Sequence, residues 1–196
     1  MSDAPLVGVL AIQGGYAAHI KILERLGARS REVRTPGELD GLDALILPGG
    51  ESTVMTLGIE REGLEQPLRE LASRGTPILG TCAGMIILDR VHLGILDVAA
   101  RRNAFGRQLH SFETDLVLDG LDGAGAGGER IHAVFIRAPW IVERGPGVEV
   151  LAEIDGHPVA VRQGNLLALS FHPELAGEDR VHRLLLELVG RRIVTP

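Results

Sequence analysis

The pentapeptide Gly80-Thr81-Cys82-Ala83-Gly84 stands between a short apolar segment, residues 77–81, and a segment of helical character, residues 83–89. It has the form G-x-nucleophile-x-G, in which a buried strand turns sharply into a helix and presents the central side chain. The turn forces a strained backbone conformation on that residue, and glycine on both sides avoids steric clashes. The pattern therefore predicts a strand–turn–helix unit of an α/β protein, with Cys82 at the carboxyl end of its strand.

Cys82 is the only cysteine of the chain. A lone cysteine is most often a buried structural residue, and that role is the alternative here. Chance would place glycine at both flanking positions in only about 2% of cases, given 26 glycines in 196 residues. A helix N-terminus also favours the thiolate, which is the reactive form of the side chain. The context therefore favours a catalytic nucleophile.

Strands and helices are predicted to alternate in the first half of the chain, and strands dominate the second half. The first half has predicted strands at residues 6–12, 30–34, 44–47 and 77–81 and predicted helices at residues 17–26, 51–57, 64–73 and 83–89. The second half has strand-like segments at residues 112–118, 131–137, 148–154, 158–162 and 166–171, and an amphipathic helix at residues 179–189. Together these elements predict a three-layer α/β domain with a mixed sheet.

The composition excludes several classes of function. Apolar residues make up 45% of the chain and charged residues 23%, as in ordinary soluble proteins. The net charge of −6 is spread along the chain, whereas a nucleic-acid surface would need a basic stripe. One cysteine forms no internal disulfide and anchors no multi-thiolate zinc site, and no apolar run approaches the ~20 residues that span a bilayer. We expect a cytoplasmic protein that binds no membrane, metal or cofactor.

A thiolate nucleophile needs a base, and the base needs a group that orients it. His172 is the best candidate, because it lies in Ser170-Phe171-His172-Pro173-Glu174 at the end of a predicted strand. Pro173 favours an extended backbone at His172, so that His172 and Glu174 project to the same side. Glu174 can then bind one ring nitrogen while the other faces Cys82; a surface turn is the alternative. Packing or surface roles are expected for His19, His92, His110, His132, His157 and His182.

An oxyanion hole would complete the machinery. In enzymes whose nucleophile lies on such a strand-to-helix turn, one donor is the N–H of the residue after the nucleophile, here Ala83. Another donor comes from a loop after a neighbouring strand. Pro48-Gly49-Gly50 is such a loop, with glycines that allow the backbone to approach a substrate. The alternative is that Gly49 and Gly50 form an ordinary turn.

Three motifs resemble those of class I, triad-type glutamine amidotransferases: Leu47-Pro48-Gly49-Gly50-Glu51-Ser52-Thr53, Gly80-Thr81-Cys82-Ala83-Gly84 and Ser170-Phe171-His172-Pro173-Glu174. More narrowly, the chain is similar to the glutaminase subunits of pyridoxal 5'-phosphate synthases. That narrower resemblance rests on PGGEST together with Arg102-Asn103-Ala104-Phe105-Gly106-Arg107-Gln108 and Val134-Phe135-Ile136-Arg137-Ala138-Pro139. It extends over nearly the whole chain, although the glycine-rich residues 123–128 look like an insertion.

The resemblance implies a flavodoxin-like class I fold, a central mixed and mostly parallel sheet, and one glutaminase domain over residues 1–196. It implies that Cys82 is the nucleophile and that His172 and Glu174 form the relay. It assigns glutamine binding to Gly50, Glu51, Ser52, Arg107, Ile136 and Arg137. Two arginines suit the α-carboxylate and Glu51 the α-amine of the substrate, although either arginine could instead form a structural ion pair.

The implied reaction is hydrolysis of L-glutamine to glutamate and ammonia. The ammonia passes to a synthase subunit that builds pyridoxal 5'-phosphate (vitamin B6), and Gln13 matches a family glutamine near the face toward that subunit. Three alternatives stay open at this stage. They are a glutaminase of another amidotransferase, such as the histidine-pathway one, a cysteine hydrolase or glyoxalase-like protein of related fold, and a catalytically silent regulatory subunit.

Overall fold

The structure is a computed structural model that describes residues 4–104, 111–120 and 130–194. The strands are β1 (Leu6–Leu10), β2 (Arg29–Val33), β3 (Ala44–Leu47), β4 (Ile78–Thr81), β5 (Val98–Arg101), β6 (Ser111–Val117), β7 (Arg130–Ile136), β8 (Trp140–Arg144), β9 (Glu149–Ile154), β10 (His157–Gln163) and β11 (Leu166–Leu169). The helices are α1 (Tyr16–Arg25), α2 (Ser52–Arg61), α3 (Glu65–Ser73), α4 (Ala83–Leu88) and α5 (Arg180–Val194), and a 3-10 turn spans Pro36–Leu39.

A seven-stranded sheet in the order β2-β1-β3-β4-β11-β10-β9 forms the centre of the fold. The strands β2, β1, β3, β4 and β11 run parallel, and β10 and β9 continue the sheet antiparallel. Two smaller antiparallel pairs, β5 with β8 and β6 with β7, lie outside this sheet. The predicted mixed, mostly parallel sheet is therefore confirmed.

Apolar side chains cover both faces of the sheet, because successive residues of a strand point to opposite sides. Val7 and Val9 of β1 pack in one buried cluster with Leu23 of α1 and with Leu184 and Leu188 of α5. The second cluster, on the opposite face, contains residues of α2, α3 and α4, namely Met55, Ile59, Leu68, Leu71, Met85 and Ile87. Two helical layers thus enclose the sheet, and the predicted three-layer α/β/α arrangement is confirmed.

The turn between β4 and α4 has the strained geometry that the sequence pattern predicts. Cys82 has φ +49° and ψ −104°, a conformation that residues with a Cβ rarely adopt. A Cβ on Gly84 would lie 2.0 Å from the carbonyl oxygen of Leu47, and one on Gly80 would lie 2.7 Å from the backbone of Gly84. Both glycines are required because the first turn of α4 passes directly over β3 and β4.

The predicted elements differ from the structure mainly at their ends and outside the central sheet. Residues 44–47 form a strand as predicted, while α2 extends to Arg61 and α5 to Val194, beyond their predicted ends. The strands β5 and β8 were not predicted, because each is short and pairs only with the other. The glycine-rich residues 123–128 lie outside the described residues. No helix in the described part of the chain is long and apolar enough to cross a membrane.

Substitution of Gly84 by alanine tests the close approach of α4 to β3. Because the new methyl group would meet the backbone of Leu47 at 2.0 Å rather than a flexible side chain, we expect the free energy of unfolding to fall by about 2–3 kcal/mol. Gly190→Ala is the matched control: Gly190 lies in α5 with open space around it, so alanine should stabilise the protein by about 0.5–1 kcal/mol. Urea denaturation of both variants measures the difference, and equal stability of the two would contradict the packing described here.

Candidate active site

A cavity of about 390 Å³ opens at the carboxyl edge of the central parallel strands. The loops after β1, β3, β4 and β11 converge there, as the topology of a parallel sheet dictates. Its lining consists of Gln13, Gly14, Gly15, Gly49, Gly50, Glu51, Ser52, Cys82, Ala83, Ile86, Arg102, Asn103, Ile136, Arg137, His172, Glu174 and Leu175. Except for Arg107, which lies outside the described residues, every residue singled out from the sequence as a site residue lines this cavity.

Cys82 stands at the inner end of the cavity, between the end of β4 and the start of α4. Its N–H donates to the carbonyl of Leu169 at 2.7 Å, which ties the turn to β11. Its Sγ lies 3.8 Å from the carbonyl oxygen of Ile136 at the end of β7. Only 7% of the residue is exposed, so a substrate reaches the sulfur through the cavity.

His172 and Glu174 are paired as the H-P-E spacing predicts. His172 Nδ1 lies 2.7 Å from Glu174 Oε1, and the Glu174 side chain is almost completely buried. The His172 N–H donates to the carbonyl of Val134 at 2.9 Å, which holds this segment against β7. A Cβ on Gly49 would lie 2.2 Å from His172 Cε1, so that glycine is required beneath the imidazole ring.

The electrostatics of the pair favour a charged imidazolium. Burial lowers the pKa of His172, but hydrogen bonds to Cys82 and Glu174 and the negative charges of both raise it to about 10. Burial raises the pKa of Glu174, yet the hydrogen bond with His172 and the electrostatic interactions with His19 and His172 hold it below its usual value. A carboxylate buried next to a protonated imidazole can thus keep its charge.

The loop that was predicted to supply oxyanion donors is held by residues after β1. The carbonyl of Gly49 accepts a hydrogen bond from Gly15 N–H at 2.9 Å, which ties this loop to the loop after β1. Gln13 Oε1 accepts from Glu51 N–H at 2.8 Å. Gln13 therefore has a structural contact within the cavity, and its contact with a synthase subunit stays a prediction.

Glu51 and Ser52 begin α2 at the side of the cavity. The Glu51 carboxylate caps the helix by accepting from the N–H groups of Thr53 at 3.1 Å and Val54 at 2.8 Å. These backbone hydrogen bonds lower the pKa of Glu51, and the bond from Val54 has the larger effect. The carboxylate is exposed and negatively charged, which suits a substrate ammonium group.

Residues of two further loops complete the cavity. Arg137 is exposed and has φ +46°, which turns the chain away at the end of β7. Arg102 was not singled out from the sequence as a site residue; its Nη1 donates to Thr53 Oγ1 at 2.9 Å. Ile136 and Leu175 are 36% and 54% exposed at the cavity, so part of its wall is an apolar surface open to solvent.

Two buried histidines behind Glu174 were also missed. His19 and His182 were expected in packing or surface roles; both are completely buried, and His19 in addition contacts the Glu174 carboxylate. No local sequence pattern marks them, because they come from helices 163 positions apart. Within the residues that the structure describes, no group of three or more histidine, cysteine or carboxylate side chains could hold a metal ion.

Proteins of known sequence and structure resemble this chain over nearly its whole length. A protein of Parafrankia sp. strain EAN1pec, named pyridoxal 5'-phosphate synthase subunit PdxT, is 53% identical over 95% of this chain and 94% of its own length. A protein of the same name from Mycolicibacterium vanbaalenii is 50% identical over 93% of this chain and 96% of its own length.

Solved structures show the same fold. A crystal structure described as a glutamine amidotransferase superposes with a TM-score of 0.86 at 47% identity and covers 94% of this chain and 98% of that chain. The structure of PurLQS from Thermotoga maritima superposes with a TM-score of 0.74 at 24% identity, which shows a shared fold alone. Residues 9–191 match the SNO glutamine amidotransferase family. This chain is a member of the SNO glutamine amidotransferase family.

Proposed function

We propose that residues 1–196 work as one glutaminase domain, which hydrolyses L-glutamine and supplies the ammonia to the synthase subunit of pyridoxal 5'-phosphate synthase. The proposal rests on one observation: Cys82, His172 and Glu174 line the same cavity, and His172 is hydrogen-bonded to Glu174. The chain that carries them is a member of a glutamine amidotransferase family. Relatives about half identical in sequence carry the name pyridoxal 5'-phosphate synthase subunit.

The first step is attack of the Cys82 thiolate on the amide carbon of the glutamine side chain. The bond between sulfur and carbon forms, and the carbonyl oxygen becomes an oxyanion. The N–H of Ala83 and those of Gly49 and Gly50 are the donors for this oxyanion, because they belong to the two loops beside the sulfur. The bond from Gly15 N–H to the Gly49 carbonyl holds this loop in place beside the cavity.

His172 then donates its proton to the leaving nitrogen, and ammonia departs as the γ-glutamyl thioester forms. The hydrogen bond and the charge of Glu174, which raise the pKa of His172, favour the protonated ring for this step. In the second half of the cycle the neutral His172 takes a proton from water, which attacks the thioester. The products are glutamate and the regenerated thiolate–imidazolium pair.

Recognition of glutamine is assigned to the outer part of the cavity. The guanidinium groups of Arg137 and Arg107 suit the α-carboxylate of the substrate, and Glu51 suits its α-amine. Gly50, Ser52 and Ile136 line the same cavity as Cys82, Glu51 and Arg137. A Cβ on Gly50 would lie 2.4 Å from Gln13 Oε1 and 3.1 Å from the Cα of Gly14, so a larger residue would displace the Gln13 side chain.

Transfer of ammonia requires a partner, because free ammonia in water is protonated and lost as a nucleophile. The exposed apolar side chains of Ile136 and Leu175 at the cavity, and those of Val54 and Leu57 on the neighbouring helix α2, supply surface that a synthase subunit could cover. Gln13 lies at the same edge of the sheet. We propose that the synthase binds over this edge.

Replacement of Cys82 by alanine should abolish ammonia release, because no other thiol in the chain can form the thioester. The measurement is ammonia and glutamate production by the purified chain, with and without the pyridoxal 5'-phosphate synthase subunit. Circular dichroism serves as the control for folding. Glutamine hydrolysis by folded Cys82→Ala at the wild-type rate would disprove the assigned nucleophile.

Replacement of Glu174 by glutamine removes the charge that stabilises the His172 imidazolium. We expect kcat to fall about a thousand-fold with little change in KM. We expect the alkaline limb of kcat to follow loss of the proton from His172, whose pKa Glu174 raises, and this limb should move to lower pH in the variant. A variant that retains both kcat and the position of this limb would exclude Glu174 from the relay.

Replacement of Arg137 by glutamine should raise KM for glutamine about 30-fold and change kcat much less, because a charge-assisted hydrogen bond to the α-carboxylate contributes about 2 kcal/mol. Arg101→Gln is the matched control, since Arg101 is an exposed arginine on β5 that does not line the cavity. Steady-state kinetics of both variants decide the assignment. Equal KM values for the two would show that Arg137 does not bind substrate.

A further inference from the structure

A pair of buried histidines joins two helices behind the proposed triad. His19 of α1 and His182 of α5 are both 0% exposed, and His19 Nδ1 lies 2.9 Å from His182 Nε2. Their rings are tilted at 42° with centroids 5.1 Å apart. Buried imidazoles are costly unless they are hydrogen-bonded, so the pair requires an explanation beyond packing.

The outer nitrogen of this pair points at the triad. His19 Nε2 lies 3.5 Å from Glu174 Oε2 and 3.3 Å from the hydroxyl oxygen of Thr81, the residue before Cys82. Glu174 Oε1 is occupied by His172 Nδ1 at 2.7 Å, and Oε2 forms no conventional hydrogen bond among the described residues. His19 is thus in position to restrain the second oxygen of the carboxylate while His172 binds the first.

The contacts determine which nitrogens carry protons. A lone pair on His19 Nε2 would face the negative Glu174 oxygen, so this nitrogen carries the proton, shared between Oε2 and the Thr81 oxygen. In a neutral ring His19 Nδ1 is then an acceptor, and His182 Nε2 must be its donor. The remaining nitrogen, His182 Nδ1, is left as an acceptor, and it is indeed a buried atom without a hydrogen bond in the described part of the chain.

Both rings are neutral at neutral pH. Burial lowers the pKa of His19, and the positive charge of His172 lowers it further. The negative charge of Glu174 opposes this shift without cancelling it. Burial, the neighbouring His19 and the positive charge of Arg25 lower the pKa of His182 to about 3. The negative charges of Glu174 and Asp179 oppose this shift but are too weak to cancel it. A neutral donor to Glu174 leaves the carboxylate charge available to His172, whereas a second imidazolium would compete for it.

We propose that His19 and His182 are positioning residues of the triad: His182 fixes the tautomer of His19, whose Nε2–H holds Glu174 so that Oε1 stays on His172. The inference rests on the proposed function for its role in turnover, since it assigns Glu174 to the relay. Loss of an outer group that orients a metal ligand typically costs 10- to 100-fold in activity, and we expect the lower end of that range here, because the contact between His19 and Glu174 is long at 3.5 Å.

The test compares His19→Leu, which removes the donor, with His19→Gln, whose amide N–H can occupy the position of Nε2. His19→Leu should lower kcat about ten-fold, with KM within about two-fold of the wild type. It should also move the alkaline limb of kcat to lower pH, because a less constrained Glu174 stabilises the imidazolium less. His19→Gln should restore most of kcat and the position of the limb.

His182 is tested through its dependence on His19. His182→Leu should produce a smaller change in the same direction, and the double variant His19→Leu/His182→Leu should be no worse in kcat than His19→Leu. Leu23→Ala, at a buried position of the same helix α1, is the control for general destabilisation. It should lower the folded fraction without moving the alkaline limb.

Alkylation of Cys82 by iodoacetamide gives a second measurement that needs neither glutamine nor a synthase. As the only cysteine, Cys82 reacts at one site, its thiolate displacing iodide. In His19→Leu the alkylation rate at about pH 7 should fall several-fold relative to that at about pH 10, and His19→Gln should reverse the loss.

The outcomes separate the two proposals. If folded His19→Leu retains the kcat, alkaline limb and alkylation profile of the wild type, the positioning role is wrong. It is also wrong if His19→Gln is as impaired as His19→Leu at equal folded fraction. If the wild-type chain hydrolyses no glutamine with the synthase present, the proposed function fails, and the alkylation profiles still decide the role of His19.

Discussion

The positive φ of Cys82 is the constraint on which the other features of the site depend. A left-handed residue between β4 and α4 requires the chain to reverse within one residue, and the helix then starts directly above the neighbouring strand. That approach leaves no room for a side chain at Gly84, next to the Leu47 carbonyl, or at Gly80. The strain costs stability of order 1–3 kcal/mol, which the buried strands on both sides offset. In return, the sulfur is held in one place at the inner end of a cavity.

The loops around the sulfur stabilise one another in the same way. Gly15 binds the Gly49 carbonyl, Gln13 binds the Glu51 N–H, and the His172 ring lies against Gly49. Each of these contacts joins residues that follow different strands. The geometry of the site is therefore a property of the sheet edge as a whole, and glycine stands where the loops approach most closely, at Gly15 and Gly49.

The sequence predicts those parts of the molecule that follow from local patterns. Three such features each depend on a few consecutive residues. They are the strand–turn–helix unit around Cys82, the strand at residues 44–47, and the placement of His172 and Glu174 on the same side of the chain. The strands β5 and β8 were missed because they pair only with each other, outside the main sheet. His19 and His182 were missed because their partnership arises only when α1 and α5 pack on the same face. Long-range packing of this kind leaves no signal in a single sequence.

The position of β4 in the sheet has a consequence for how the protein loses activity. It is the fourth of seven strands, with parallel neighbours on both sides, and the Cys82 N–H continues the pairing through its bond to Leu169. Amide hydrogens of such central strands exchange with solvent only when the molecule opens globally. Fraying of the chain ends therefore leaves Cys82 in its turn, whereas opening of the small β6–β7 pair would release the His172 segment from the Val134 carbonyl. Displacement of Cys82 from its turn should therefore coincide with cooperative unfolding of the central sheet.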